Sequence, residues 1–238
     1  MSEVSTDDAA GRRSCAAQVI VDDVDDPSGP VIGDAAAHHL GRVLRLRAGA
    51  HVCAADGRGG WRIVRFVGDN RLEPAGAVHH EEDPVQQVTV AFVPVKRDRA
   101  ELVVQKLTEI GVDRIVLTSS ERAVLRWDGD RAERHLDRLR RVTIEAVQQC
   151  RRLFVPTLGT ASLGDLLAAG AALADIGASG DPVGGVPVVV GPEGGWTDRE
   201  RSMATATPVG LGAHVLRAET AAIVAGVLMT RHRDGSAG

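Results

Sequence analysis

From Gln87 to the end of the chain, apolar β-branched runs and helix-like stretches take turns, and few chain arrangements accept that pattern. QVTVAFVPV reads as a strand, RAELVVQKLTEIG as a helix closed by Gly111, and DRIVLTSS as a second strand. RAERHLDRLRRVTIEAVQQC follows as a long helix, with Leu136, Leu139, Val142, Ala146 and Val147 on one stripe at helical spacing. Then come a short helix in SLGDLLAAG, the strand PVVVG, a helix from Asp198, the strand PVGLG and a closing helix from about Ala218 to His232. Repeated βα units predict an α/β fold with a mostly parallel sheet covered by helices on both faces.

The preceding segment, Cys15 to Val78, has a different texture. Short β-like runs (AAQVIV, AHVCAAD, WRIVRFV) are separated by turns such as DGRGG, with one helix-like piece in DAAAHHLGRVL, as in a small β-barrel or sandwich. HHEEDPVQQ reads as a linker. The expected organisation is a disordered leader over residues 1–14, a β domain over 15–80 and an α/β domain over 86–238. No run of apolar residues is long enough to span a bilayer, and the polar N-terminus lacks signal-peptide character, so a cytoplasmic protein is expected.

Three separated cysteines, Cys15, Cys53 and Cys150, indicate neither a disulfide framework nor a zinc site. His38 with His39 and His79 with His80 are sequence neighbours that do not share a helical face, so no metal is expected. A formal net charge of -4 argues against a protein that coats nucleic acid indiscriminately. The arginines are nevertheless concentrated: seven between Ala37 and Leu72 and seven between Arg131 and Arg152. Such islands fit either a local polyanion footprint or solvated surface.

VVVGPEGGWTDRE places a glycine-rich turn between a strand and a helix, with Thr197 and Glu200 in the spacing of a capping box. Ligands of open α/β sheets bind at such strand ends. The turn has neither the phosphate-loop nor the dinucleotide spacing, and Glu193 would repel a phosphate, so a neutral or cationic ligand is expected. VGLGAHVLRAETA repeats the plan, with Glu219 in the first helical turn. Two such turns could face each other across one flat ligand; read singly, each could equally be a plain tight turn.

GPEGGWTDRE followed by LGAHVLRAETA resembles the SPOUT class of S-adenosylmethionine-dependent methyltransferases, and within it the RsmE family of ribosomal RNA uridine-N3 methyltransferases. HHLGRVLRLRAGA, VPVKRDRAELVVQKLTEIGV and EAVQQCRRLFVP agree with that family and extend the resemblance over nearly the whole chain. The resemblance implies a PUA-like β-barrel followed by a SPOUT methyltransferase domain with a C-terminal trefoil knot. It further implies a homodimer, S-adenosyl-L-methionine as cofactor and 16S rRNA, within the 30S particle, as substrate. The cofactor would lie against Gly191, Glu193, Gly194 and Gly195 on one side and Leu211, Gly212, Val215 and Leu216 on the other. Glu193 either touches the ligand or caps backbone amides.

Methylation at uridine N3 requires a positioned nitrogen and stabilisation of the anion that develops on the base oxygens. A guanidinium suits the second task. The family's motif arginine falls on Arg152, four residues before Pro156, with a surface arginine at a helix end as the plain alternative. Arg217 either helps close the site or pairs with Glu219. No general base stands out, and N3 needs no cysteine adduct, so Cys150 reads as a structural thiol.

On the RNA side stand His39, Arg42 and Arg45, near i, i+3 spacing on one helical face, with Lys96 and Arg151. The chain departs from the family at Gln148-Gln149, where Glu-Gln is usual, at Arg151, where a small residue is usual, and at Ala213, where proline is common. These departures leave open which of Arg151 and Arg152 is catalytic. Rival activities are SPOUT methylation of a tRNA ribose 2′-oxygen or guanine N1, and cofactor-free RNA binding.

Overall fold

In a computed structural model, which describes residues 9–68, 70–94, 97–124 and 129–236, the chain divides into two compact units. The first comprises residues 1–83 and 147–155, and the second residues 84–146 and 156–238.

The first unit is built on a four-stranded sheet in the order β1-β2-β3-β4 (Ala17–Ile20, Ala50–Ala55, Gly60–Phe66, Leu72–His80). β1 runs parallel to β2, and the other neighbours are antiparallel, with a bulge between Arg62 and Val64. One set of apolar residues, Val19, Val52, Val64, Phe66 and Leu72, closes over Leu40. Another, Cys53, Trp61 and Ile63, packs with Cys15 and with Leu153 from the returning segment 147–155. The strands AAQVIV, AHVCAAD and WRIVRFV are where the sequence predicts them. β4 is not: it carries Pro74 and Gly76 and runs through His79 and His80, inside the stretch read as a linker. Pairing with β3 overrides its poor intrinsic propensity.

The leader expected to be disordered through residue 14 is instead helical from Ala9 to Ser14 (α1). Arg12 explains this, since its side chain is buried and anchored to the returning segment. A second helix, α2 (Asp34–His38), runs on into a single π-helical turn at His39–Val43.

The second unit holds a five-stranded, wholly parallel sheet in the order β7-β6-β5-β9-β8, that is Thr157–Thr160, Arg114–Leu117, Thr89–Phe92, Val188–Val190 and Ala172–Ala174. The central strands are buried on both faces, hence their continuous apolar runs. Val90, Phe92, Val188 and Val190 face α3 (Arg97–Ile110), α4 (Gly129–Cys150) and α7 (Ala218–Ser236) through Val103, Leu107, Leu139 and Met229. Ala91, Val93 and Val189 face the other way, onto α5 (Leu163–Ala168) and Trp196. Gly226 lets α7 approach α3, because a Cβ there would fall 2.7 Å from Leu107 Cδ2.

Two strands, β7 and β8, escape the sequence reading because TLGT and ALA are short and weakly β-branched. Conversely, PVGLG is no strand: only Val209 bridges to Ala174 and Gly180, leaving Gly210 to Leu216 as the loop that the site requires. Among the described residues no helix is long and apolar enough to cross a membrane, and no cluster of three His, Cys, Asp or Glu could hold a metal ion.

Candidate active site

At the carboxyl ends of β8 and β9 the second unit opens a cavity with three walls. The first glycine turn contributes Gly191, Pro192, Glu193 and Gly195, the second contributes Leu211, Gly212, His214, Val215 and Leu216, and Ala174, Asp175 and Ile176 supply the third. Ala218 and Ala221, at the start of α7, and Trp196 complete the lining. Of the eight residues expected against the cofactor, Gly194 alone lies outside this lining. The third wall had no signal in the sequence, since ALADIG carries no motif.

The first turn is shaped from beneath. Gly191 has no Cβ because the Trp196 ring occupies that place, with Cε2 2.9 Å from where one would be. Trp196 is in turn fixed by its Nε1–H, which donates to the Ala174 carbonyl at 2.9 Å. Gly195 N donates to the Pro192 carbonyl at 2.9 Å, closing the turn, and Gly195 has φ 66, a conformation that costs glycine little. Thr197 and Glu200 form the expected capping box at the start of α6 (Asp198–Met203). The buried Glu200 carboxylate also accepts from Glu121 N at 2.8 Å, tying the loop after β6 to the turn. Arg122, from that loop, donates to the carbonyls of Gly194 and Trp196 at 2.9 and 3.2 Å, which turns Gly194 away from the cavity.

Arg99, from α3, carries no motif or spacing that would single it out. Its Nη1 lies 3.3 Å from Glu193 of the first turn and 3.3 Å from Glu219, which begins the helix after the second turn. The partner of Glu219 is thus Arg99; Arg217 is exposed and outside the cavity lining. Asp175 is paired in the same manner with Arg201 at 2.6 Å, and the hydrogen bond from Arg201 holds its carboxyl below the usual value. Among the described residues the lining therefore presents two carboxylates, each with an arginine partner set outside it, and no lysine or arginine of its own. Such a wall offers acceptor oxygens to an amine, a hydroxyl or a cationic centre and repels a phosphate.

The sequence profile of the RNA methyltransferase domain family matches residues 81–230, and that of the RNA methyltransferase PUA domain matches residues 32–73. Ribosomal RNA small subunit methyltransferase E of Mycobacterium bovis is 35% identical over 224 residues, covering 81% of this chain and 84% of its own. The chain belongs to the ribosomal RNA small subunit methyltransferase E family. The Synechocystis member is 30% identical, with 79% of this chain and 68% of its own length covered. Among solved structures, the Neisseria gonorrhoeae member bound to S-adenosyl methionine is 27% identical, with a TM-score of 0.73 over 88% of this chain and 94% of its own. A methyltransferase of Legionella pneumophila, 24% identical, shares the fold, with a TM-score of 0.75 over 88% of this chain and 94% of its own. A PUA domain followed by a SPOUT-like methyltransferase domain is thus the architecture of this family member.

The remaining residues singled out from the sequence lie in the first unit, apart from Lys96, which falls outside the described residues. His39 and Arg42 are exposed within the π-helical turn. Arg45 is beyond it, at φ 54, so the expected helical face does not extend to that residue. His38 and Arg42, with Asp34, Phe66 and Asn70, line a separate cavity of about 350 Å³. Arg151 and Arg152 directly follow α4. Arg152 N donates to the Val147 carbonyl at 3.2 Å and Arg151 has φ 60, together a Schellman-type helix end with arginine where glycine is usual. A side chain in that left-handed conformation costs about 1 to 2 kcal/mol.

Proposed function

We propose that this chain methylates N3 of a uridine in the 16S RNA of the small ribosomal subunit, with S-adenosyl-L-methionine as methyl donor. The observation that carries this reading is the cavity walled by both glycine turns, rich in acceptor oxygens and, among the described residues, without a lysine or arginine. A dinucleotide or nucleoside triphosphate needs the opposite lining. The name shared by the relatives, and the donor bound to the Neisseria protein, support the same choice.

Gly191, Glu193, Gly195, Leu211, Gly212, Val215 and Leu216 are the residues that would hold the donor. The two glycine turns bring backbone close to a flat ligand, Leu211 and Leu216 cover its apolar surface, and Asp175 and Glu193 offer acceptors. Once bound, S-adenosyl-L-methionine supplies an electrophilic methyl group on a cationic sulfur. On the substrate side Arg152 stabilises the negative charge that gathers on the uracil oxygens as the N3 proton leaves. A permanently charged guanidinium does so without changing its own protonation state. His39, Arg42, Arg45, Lys96 and Arg151 contribute RNA contacts, and Arg217 acts at the rim. The same reading brings a trefoil-knotted C-terminal segment, a homodimer and a cytoplasmic location, with assembled 30S particles as substrate.

Unmodified 30S particles, naked 16S rRNA and tRNA are incubated with the enzyme and labelled donor, and the modified nucleoside is mapped. Label on N3 of one uridine in 16S rRNA is the expected result. Label on a tRNA ribose or guanine, or no donor binding at millimolar concentration by calorimetry, overturns the proposal.

A further inference from the structure

One arginine just after α4 and two in α1 exchange hydrogen bonds across 138 or more residues of sequence. Arg12 Nη1 donates to the Arg151 carbonyl at 2.8 Å, and Arg151 Nη1 donates back to the Arg13 carbonyl. Arg12 has little freedom to swing away: its guanidinium carbon lies 5.7 Å from the Trp61 ring centroid, and Glu81 stands at 4.0 Å. Trp61 is itself stacked on His79, with ring centroids 4.4 Å apart.

The exchange falls where the chain has no intrinsic reason to keep its shape. Arg151 is one of two described non-glycine residues with positive φ, and a glycine would adopt that conformation freely. One residue on, the main chain of Arg152 is fixed at both ends, its N–H by the Val147 carbonyl and its own carbonyl by Gln18 Nε2 at 2.7 Å. Gln148 adds a further tie, its Oε1 accepting from Ile20 N at 3.2 Å. The direction in which the Arg152 side chain leaves the backbone therefore follows from the conformation of Arg151, which is held from α1.

We infer that Arg12 is a positioning residue for Arg152: it holds Arg151 in its left-handed conformation and so sets the aim of the neighbouring guanidinium. The inference rests on the proposed role of Arg152 at the substrate. It assigns α1 a place in the active enzyme beyond covering Trp61, and it explains how this chain tolerates arginine in a conformation that glycine adopts freely.

Residue 12 and residue 151 should then be coupled. Arg12→Ala is expected to lower single-turnover methylation of 30S particles by roughly 10-fold to 100-fold, as for other small misplacements of a reacting group, with donor affinity unchanged by calorimetry. In the Arg12→Ala, Arg151→Gly double variant most of that loss returns at saturating 30S particles, where a lost RNA contact of Arg151 no longer limits the rate, because glycine needs no external hold. Arg12→Lys keeps the charge and a donor, and recovers part of the rate. Arg151→Ala, which keeps the strain and loses the bond to Arg13, is expected to fall below Arg151→Gly; this pair tests the idea even if Arg12→Ala fails to fold. Amide exchange at Arg152 gives a readout separate from turnover: faster in Arg12→Ala, restored in the double variant. A double variant as impaired as Arg12→Ala alone, with exchange still fast, overturns the inference. Full activity of Arg152→Ala beside restored exchange would instead remove the role of Arg152 and leave the coupling standing.

Discussion

The Trp196 indole lies directly under Gly191, its Cε2 2.9 Å from where a Cβ would stand. The first wall of the cavity is therefore a backbone resting on a buried ring. Gly191→Ala must lift the turn or displace Trp196, which is 1% exposed and hydrogen-bonded to Ala174. Overpacking of this kind costs about 1 to 3 kcal/mol. A lowered melting temperature together with weaker donor binding by calorimetry is expected.

Arg99 joins the two lips of the cavity through Glu193 and Glu219. Glu219 is the more buried acid, at 12% side-chain exposure, and its Oε2 has no hydrogen-bond partner among the described residues. Arg99→Ala removes the counter-charge and is expected to destabilise the protein by roughly 1 to 3 kcal/mol and to raise the donor dissociation constant. Glu193, at 68% exposure, contributes little to stability, so Glu193→Gln should shift binding with an almost unchanged denaturant midpoint.

Arg152→Ala is expected to keep donor affinity and lose turnover by about 100-fold to 1,000-fold, the range seen when a charge-stabilising donor is removed. Calorimetry and single-turnover labelling of 30S particles measure the two separately. Unchanged turnover would assign Arg152 to the helix end alone.

Acid affects the third wall through Asp175. Its carboxyl is held below the usual value by the hydrogen bond from Arg201. The pair therefore contributes in full above the unfolded-state value of about 4 and is lost as pH falls through the lower folded-state value. Arg201 is 43% exposed, so water screens the pair and keeps its contribution small. The stability difference between the protein and Asp175→Asn should shrink towards zero below pH ~4, as urea melts across that range would record.

Cys53 lies 1% exposed under Trp61, and burial pushes its thiol up to about 12. At pH ~8 on the order of one molecule in ten thousand carries the thiolate, so iodoacetamide should leave Cys53 unlabelled until urea is added. Stability from the buried neutral thiol is present below the unfolded-state value of about 8.5 and is lost as pH rises towards about 12. Peptide mapping before and after denaturation reads the labelling directly.

Much of this protein follows from local chemistry. The β-branched runs at Val88–Val93 and Val188–Val190 had to be buried strands, and Thr197 with Glu200 had to start a helix, because propensity, period and capping act over a few residues. The two glycine turns were legible for the same reason. Decisions that depend on distant partners were not. β4 and β8 are strands because neighbours pair with them, Val209 makes only bridges, and Ala174–Ile176 becomes a wall because β8 lies beside β9. Arg99 reaches Glu193 across 94 residues, and Arg12 reaches Arg151 across 139, separations at which sequence spacing carries no information. Sequence alone determined the strongly patterned helices and strands and the two glycine turns; tertiary packing decided the marginal strands and which charges meet, since strand pairing, ion pairs and hydrogen bonds act across space without regard to chain distance.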